Sequence, residues 1–204
     1  MKSIKLFSFF LLLLPLYSYN FQKKESVSSL GKSISDFSLR NIDNKIISLS
    51  DYKYAKGFMI VFTCNHCPFA KLYPERFNAL NSKYQSLGVP LIAINSMDSA
   101  IYDEERFELM QEKAKSEKFN FPYLQDGQQK VGKEFNAKHT PHAFVIWKES
   151  GSWVIKYSGA IDDNGEHPEL ATHYISNAVD ELLQNTSVSK PETESFGCAI
   201  FYRK

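Results

Sequence analysis

Cysteine is scarce in this sequence, with three residues in a chain of 204, at positions 64, 67 and 198. So small and odd a number argues against a domain held together by several disulfides. The chain does not need such support, because 204 residues are enough for one domain with a full hydrophobic core. The loop between Cys64 and Cys67 is also so short that a bond there would constrain the unfolded chain little. The close pair is therefore predicted to carry chemistry.

An excess of either charge is also missing. The chain has 24 Lys and Arg against 23 Asp and Glu, a formal net charge of +1. These residues are interspersed along the sequence, which is typical of a solvated surface. Since there is no broad basic face, we predict no nucleic-acid partner.

No apolar run is long enough to span a bilayer comfortably. The best candidate, residues 6–16, follows Lys2 and Lys5 and is typical of a secretory signal. We therefore predict an exported protein, periplasmic or secreted, in which residues 1–20 are a signal peptide or N-terminal anchor and residues 21–28 a linker. No small-x-small cleavage site is obvious, so an uncleaved membrane anchor and a buried N-terminal helix stay open. No cysteine follows the run, which excludes anchoring through a lipidated cysteine.

Hydrophobic patterns predict alternating strands and helices. The predicted strands are a β-hairpin in residues 34–50 turning at 41–45, buried strands at 57–63 and 91–95, a short extended segment at 121–124, and a hairpin of 142–148 with 153–158. The predicted helices are 68–87, bent at Pro74, then 103–118, 128–137 and 167–184. This order predicts an α/β fold, a mixed sheet with helices on both faces.

The Cys64–Cys67 pair lies where the strand at 57–63 ends and the helix at 68–87 is predicted to begin. At a helix N-terminus the partial positive charge stabilises a thiolate, so we expect a lowered pKa for Cys64. Cys64 is then the predicted nucleophile and Cys67 the resolving cysteine. Three neighbours are predicted to tune the pair: Asn65 as an uncharged donor, His66 as an imidazole that holds the thiolate, and Pro68 as the first helical residue.

Zinc binding is the main alternative for a Cys-x-x-Cys motif. The sequence has no second Cys-x-x-Cys and no His-x-x-x-His, so we predict no metal and no other cofactor. The isolated candidates for further ligands are Cys198, His139, His142, His167 and His173.

The sequence resembles the thioredoxin-like superfamily, in particular its redoxin and peroxiredoxin-like (AhpC/TSA-related) branch. The resemblance covers about residues 29–202 and is carried by the segments ISDFSL, DNKIISLSDY, FTCNHCPFAKLYPERFNAL, LIAINSMD, FPYLQD, HTPHAFVI and SFGCAI. It implies a thioredoxin-like fold with an N-terminal β-hairpin extension over residues 29–184, followed by a tail of residues 185–204.

The resemblance also implies roles for residues outside the pair. Thr140-Pro141 is similar to the Thr–cis-Pro step that faces the active disulfide and whose backbone pairs with a substrate. Cys198 is either a third redox cysteine that exchanges with Cys64 or a buried free thiol. The implied partners are protein or small-molecule thiols and disulfides, together with a redox partner protein.

Two departures limit the resemblance. If Cys67 takes the place of a peroxidatic cysteine, the supporting Pro and Thr of peroxiredoxins are replaced by Ile60 and Cys64. The Trp that precedes the first cysteine of thioredoxins is replaced by Thr63. We therefore expect an exported thiol–disulfide oxidoreductase, with a thiol peroxidase as the alternative. A non-catalytic or metal-binding module on the same fold is the third hypothesis.

Overall fold

The computed structural model describes residues 28–204. The signal peptide or anchor predicted for residues 1–20, and nearly all of the predicted linker, lie outside the described residues. Within residues 28–204 no helix is long and apolar enough to cross a membrane.

A mixed sheet of eight strands forms the centre of the described part of the chain, in the order β1-β9-β8-β4-β5-β6-β2-β3. Its members are β1 (Ser33–Ile34), β2 (Ser38–Asn41), β3 (Ile46–Ser48), β4 (Gly57–Phe62), β5 (Leu91–Asn95), β6 (Tyr123–Gln125), β8 (His142–Glu149) and β9 (Ser152–Gly159). Strands β4, β5 and β6 are parallel, whereas β8 runs antiparallel to β4. A separate two-stranded ladder joins β7 (His139–Thr140) to β10 (Cys198–Ala199).

The central strand β4 is buried on both faces, as its uninterrupted apolar sequence predicts. Met59 and Val61 point into the core that contains α1 (Pro74–Tyr84), α2 (Phe107–Ser116) and α4 (Tyr174–Leu183). Phe58, Ile60 and Phe62 point to the opposite core, which contains α3 (Lys130–Phe135) and the side chains of the cysteine pair. Helices therefore cover both faces of the sheet, which confirms the predicted thioredoxin-like architecture.

Both predicted hairpins are present, and their turns have the expected chemistry. Asn44 has a φ of 69° in the turn between β2 and β3. Between β8 and β9, Ser150 and Gly151 both have positive φ, 48° and 87°. Two consecutive positive φ values give the turn twist that matches a tight antiparallel hairpin.

The helix predicted for residues 68–87 begins later than expected. A 3₁₀ turn occupies Ala70–Leu72, and the α-helix starts at Pro74, which takes the first helical position because its nitrogen has no hydrogen to donate. Phe69 and Leu72 are 47% and 41% exposed, although both would belong to the apolar face of a helix that began at residue 68. No α-helix therefore begins at Pro68, so the predicted placement of the cysteines at an α-helix N-terminus is wrong.

Two other helices are also shorter than predicted. The stretch 167–184 contains a 3₁₀ turn at Pro168–Leu170 and a helix only from Tyr174, so Leu170 is 74% exposed. In the stretch 103–118, a 3₁₀ turn at Asp103–Glu105 precedes α2, and Arg106 between them is extended. This break turns Glu105 inward while its acidic neighbours stay exposed.

Candidate active site

The two cysteines of the motif lie in a loop at the carboxyl end of β4. Cys64 and Cys67 are both fully buried, and neither forms a disulfide in this structure. Cys198, from the tail, is partly exposed and also reduced. Three free thiol groups therefore lie together at the carboxyl end of the central strand β4.

The sulfur of Cys67 is at the centre of this group. The backbone N–H of Cys198 donates to it at 3.3 Å, and the backbone N–H of Ala70 is a further donor. The thiols of Cys64 and Cys198 also hydrogen-bond to it. The hydrogen bond from the Cys64 thiol, joined by these other donors, lowers the pKa of Cys67 below that of an ordinary cysteine, although burial opposes the shift. When Cys67 is protonated, its own thiol donates to the carbonyl oxygen of Thr140 at 3.0 Å.

Cys64 has the opposite tendency. Its pKa is raised, first because its thiol donates to the sulfur of Cys67, then because the side chain is buried and the Glu105 carboxylate is close. A contact of 3.1 Å to the hydroxyl oxygen of Thr140 works in the other direction. The pKa of Cys64 is therefore shifted upward rather than downward as expected, whereas that of Cys67 is shifted downward.

Glu105 explains why Cys64 lacks the expected stabilisation. The N–H groups that follow Cys64 in the loop, those of Asn65 and His66, donate to the Glu105 carboxylate at 2.9–3.0 Å instead of to a sulfur. The side-chain amide of Asn95 donates to it as well, at 2.6 Å. Glu105 is only 1% exposed, and a buried carboxylate needs several hydrogen-bond donors. Because the loop N–H groups bind Glu105, they do not stabilise a thiolate at Cys64.

Glu105 is the site residue that the sequence did not reveal. It lies in the acidic run of residues 103–105, which is indistinguishable from a solvated surface segment. Its partners are 40 and 10 residues away along the chain. Only the break before α2 brings it into contact with the loop.

The three predicted tuning residues differ in what they contact. His66 donates through Nδ1 to Glu105 at 2.6 Å and stacks on Tyr102 with ring centroids 4.2 Å apart. The Asn65 side chain accepts from the hydroxyl of Tyr123 at 3.0 Å and donates to the backbone of Glu104, whereas Pro68 is exposed. These hydrogen bonds of Asn65 and His66 thus run to the loop's surroundings, and an effect of His66 on the sulfurs would pass through Glu105.

Within residues 28–204, one combination of side chains has the residue types of a metal site. Single ligand atoms of Cys64, His66 and Glu105 lie within 4.8 Å of one another. The carboxylate oxygens, however, already accept backbone, imidazole and amide N–H groups, so a metal ion bound by Glu105 would compete with these donors, and with its Nδ1 bonded to Glu105, His66 could bind a metal only through Nε2. The donor set therefore fits an internal hydrogen-bond network better than a zinc ion.

Thr140 touches both sulfurs of the motif and precedes a cis peptide bond to Pro141. Its strand, β7, pairs antiparallel with β10, with Cys198 opposite Thr140 and Ala199 opposite His139. The structure thus brings all the predicted cysteines and the Thr140-Pro141 step together, but it places Cys198 against Cys67 rather than against Cys64. The backbone edge expected to receive a substrate is occupied by the chain's own tail.

A dithiol motif at the end of a central strand, facing a cis-proline loop, on a thioredoxin-like sheet defines a thioredoxin-like redox protein. The model of the AhpC/TSA family matches residues 30–162, more than half of the chain. The chain therefore belongs to the AhpC/TSA family. No curated protein sequence matches it.

Solved structures with a similar fold are also found. A hypothetical protein from Sinorhizobium meliloti 1021 is 28% identical, with a TM-score of 0.79 over 87% of this chain and 97% of that one. An uncharacterized conserved protein from Geobacillus kaustophilus is 33% identical, with a TM-score of 0.77 over 85% and 92% of the two chains. The exposed lipoprotein thioredoxin of Streptococcus pneumoniae strain TIGR4, at 15% identity and a TM-score of 0.55 over 74% and 99%, shares the fold.

Proposed function

We propose that the protein is an exported thiol–disulfide oxidoreductase that works through the Cys64–Cys67 dithiol, with Cys67 as the attacking sulfur and Cys64 as the resolving one. This order reverses the one expected from the motif alone. The observation that carries it is the set of N–H and thiol donors that converge on the Cys67 sulfur. The thiolate is the nucleophile in disulfide exchange, so the sulfur that ionises first attacks first.

The proposed cycle has two steps. The Cys67 thiolate attacks a substrate disulfide, R–S–S–R, forming a mixed disulfide and releasing one thiolate, which takes a proton to become R–SH. The Cys64 thiol, whose proton passes to the departing sulfur, then attacks the Cys67 sulfur and releases the second R–SH. The protein ends with a Cys64–Cys67 disulfide and the substrate is reduced; the reverse sequence oxidises a dithiol substrate. Thr140, beside both sulfurs, positions them for this exchange.

Trapping tests which sulfur attacks. A Cys64→Ser variant that also carries Cys198→Ser should accumulate a mixed disulfide at Cys67 when mixed with oxidised glutathione, because no thiol is left to resolve it. The matched Cys67→Ser, Cys198→Ser variant should accumulate less, because burial and the nearby Glu105 carboxylate still raise the pKa of Cys64 when the Cys67 sulfur is gone. Peptide mass spectrometry locates the adduct. The opposite ranking would restore the order in which Cys64 attacks, and a motif that forms neither adduct nor internal disulfide would rule out the oxidoreductase.

Export is the second part of the proposal and rests on residues 1–20. The lipoprotein thioredoxin that shares the fold is described as exposed, which is compatible with this location. Cell fractionation of the full chain, with and without residues 1–20, tests it. Equal recovery of both forms in the cytoplasm would contradict export.

A thiol peroxidase is the second candidate function. Two observations favour it: the membership of the AhpC/TSA family and the lowered pKa of Cys67. A peroxide would convert the Cys67 thiolate to a sulfenic acid, which Cys64 would then resolve to a disulfide with release of water. Hydrogen peroxide consumption with dithiothreitol as reductant, lost in Cys67→Ser, would support this activity. Disulfide exchange without peroxide consumption would contradict the peroxidase and leave the oxidoreductase as the function.

A further inference from the structure

The tail that carries Cys198 is fixed to the domain on both sides of this residue. Before it, Pro191 accepts a hydrogen bond from the Ser158 N–H, and the Thr193 N–H donates to the Ser158 carbonyl at 3.1 Å. After it, the Arg203 side chain pairs with Asp98 at 2.6 Å, and Asp98 is only 5% exposed. The tail, residues 185–204, is therefore a strap that is held on both sides of Cys198 and whose middle lies across the loop of Cys64 and Cys67.

The middle of the strap fits closely against the cis-proline loop. The Ile200 N–H donates to the Lys138 carbonyl at 2.9 Å, which extends the β7–β10 ladder. Gly197 has a φ of 130°, and a Cβ added there would lie 2.1 Å from the carbonyl oxygen of Thr140. Only glycine allows this approach. The approach sets the register that places the N–H and thiol of Cys198 on the Cys67 sulfur.

We propose that Cys198 is the internal disulfide partner of Cys67, so that the oxidised bond moves between Cys64–Cys67 and Cys67–Cys198. The inference rests on the proposed function, which supplies the oxidised motif. In the step, the Cys198 sulfur attacks the Cys67 sulfur; the S–S bond to Cys64 breaks, the bond to Cys198 forms, and the proton of the Cys198 thiol passes to Cys64. No net oxidation occurs, and one disulfide is exchanged for another.

The site is arranged for this exchange because the central sulfur has a thiol on each side. Cys64 and Cys67 are fully buried, whereas Cys198 is partly exposed. A bond between Cys67 and Cys198 would place the oxidised pair nearer the surface, where a redox partner can reach it. Since β10 occupies the Thr140 edge, the partner would meet the tail before it meets the motif.

Resolution of a trapped adduct tests the proposal. The Cys64→Ser variant is treated with oxidised glutathione, and the lifetime of the adduct at Cys67 is compared with that in Cys64→Ser, Cys198→Ser. In the first variant we expect the adduct to disappear at least about tenfold faster, because Cys198 is held at high effective concentration. Peptides joined through Cys67 and Cys198 should appear at the same time in mass spectra.

A second pair of variants separates position from chemistry. Gly197→Ala in the Cys64→Ser background keeps the Cys198 thiol but cannot keep the approach to Thr140, so the adduct should persist. Gly127→Ala is the control, because a Cβ there meets nothing within 4 Å. A persistent adduct in Cys64→Ser with Cys198 still free would overturn this inference and leave the proposed function standing. A Cys67 that forms no adduct in any variant would instead overturn the proposed function.

Discussion

Replacing Glu105 with Gln should both destabilise the protein and make Cys64 more acidic. In the folded chain one carboxylate oxygen accepts the His66 N–H and Nδ1–H, the other accepts the Asn95 amide, and the Asn65 N–H lies 3.0 Å from both. A glutamine has only one acceptor oxygen, so its NH₂ group must face donors in either orientation. Asn95 cannot turn to compensate, because its own oxygen accepts the Met97 N–H at 3.0 Å.

The size of the effect follows from this inventory. A hydrogen bond to a charged group contributes about 1.5–3 kcal/mol, and a buried donor left without a partner costs about 1–3 kcal/mol. We expect a loss of about 3 kcal/mol in the free energy of unfolding, which corresponds to a fall in Tm of about 6–12 °C for a domain of this size. The negative charge of Glu105 also raises the pKa of Cys64, so its removal should lower that pKa.

Thermal unfolding of the reduced protein measures the first effect, and the pH dependence of iodoacetamide labelling at Cys64, read by mass spectrometry, measures the second. Glu104→Gln is the matched control, since Glu104 is exposed and only its backbone carbonyl contacts the loop. General loosening would raise the labelling rate at every pH without moving the midpoint. A Tm within about 2 °C of the control, a difference below 1 kcal/mol, with an unchanged midpoint would refute the role assigned to Glu105.

Two further predictions concern buried ionisable groups that stabilise the fold, His142 and the Arg76–Asp162 pair. The pKa of His142 is lowered to about 3 from its ordinary value of 6.5, first by burial and then by the charges of His139 and Lys138, so protonation favours the unfolded chain. In the folded chain the ring accepts the Lys138 N–H and bonds to Ser158. His142 should therefore not change the free energy of unfolding above pH 6.5, and should lower it by up to about 1.4 kcal/mol for each pH unit from there towards pH 3. In denaturant titrations His142→Asn should reduce this pH dependence. An equal pH dependence in the variant would contradict the prediction. Arg76→Ala should cost about 3–5 kcal/mol, because it leaves the buried Asp162 without its cation, and adding Asp162→Asn should recover part of the loss in the same assay; full additivity would contradict the pairing.

Elements with strong local signals were predictable from the sequence. The buried strands β4 and β5 are continuous apolar runs, and the two hairpins carry turn residues that tolerate positive φ. The start of α1 was not predictable in the same way, because Pro68 and Pro74 both suit a first helical turn and apolar residues continue between them. The chain makes a 3₁₀ turn first, and Phe69 and Leu72 are left at the surface.

The cysteine pair was identifiable because its chemistry depends on two cysteines only three positions apart at the end of one strand. Its electrostatics were not, because they depend on groups far away in sequence. Glu105 is about 40 residues from the loop whose N–H groups it takes, and Cys198 is 131 residues from the sulfur that it contacts. Such contacts depend on the packing of the whole domain, so helix-terminus reasoning from the motif alone did not anticipate the directions in which the two pKa values are shifted.

Thr140 has a consequence for how the redox state and the tail depend on each other. Its hydroxyl and carbonyl oxygens contact the two thiols of the motif, while its backbone pairs with Cys198. A disulfide between Cys64 and Cys67 has no S–H group to donate to the Thr140 carbonyl, so we expect oxidation to weaken the same loop that holds the tail. Because such coupling is reciprocal, a tail that is firmly held shifts the equilibrium towards the dithiol, and a partner that pulls the tail away shifts it towards the disulfide. The pairing of β10 with β7 would then oppose formation of the Cys64–Cys67 disulfide, and release of β10 would favour it.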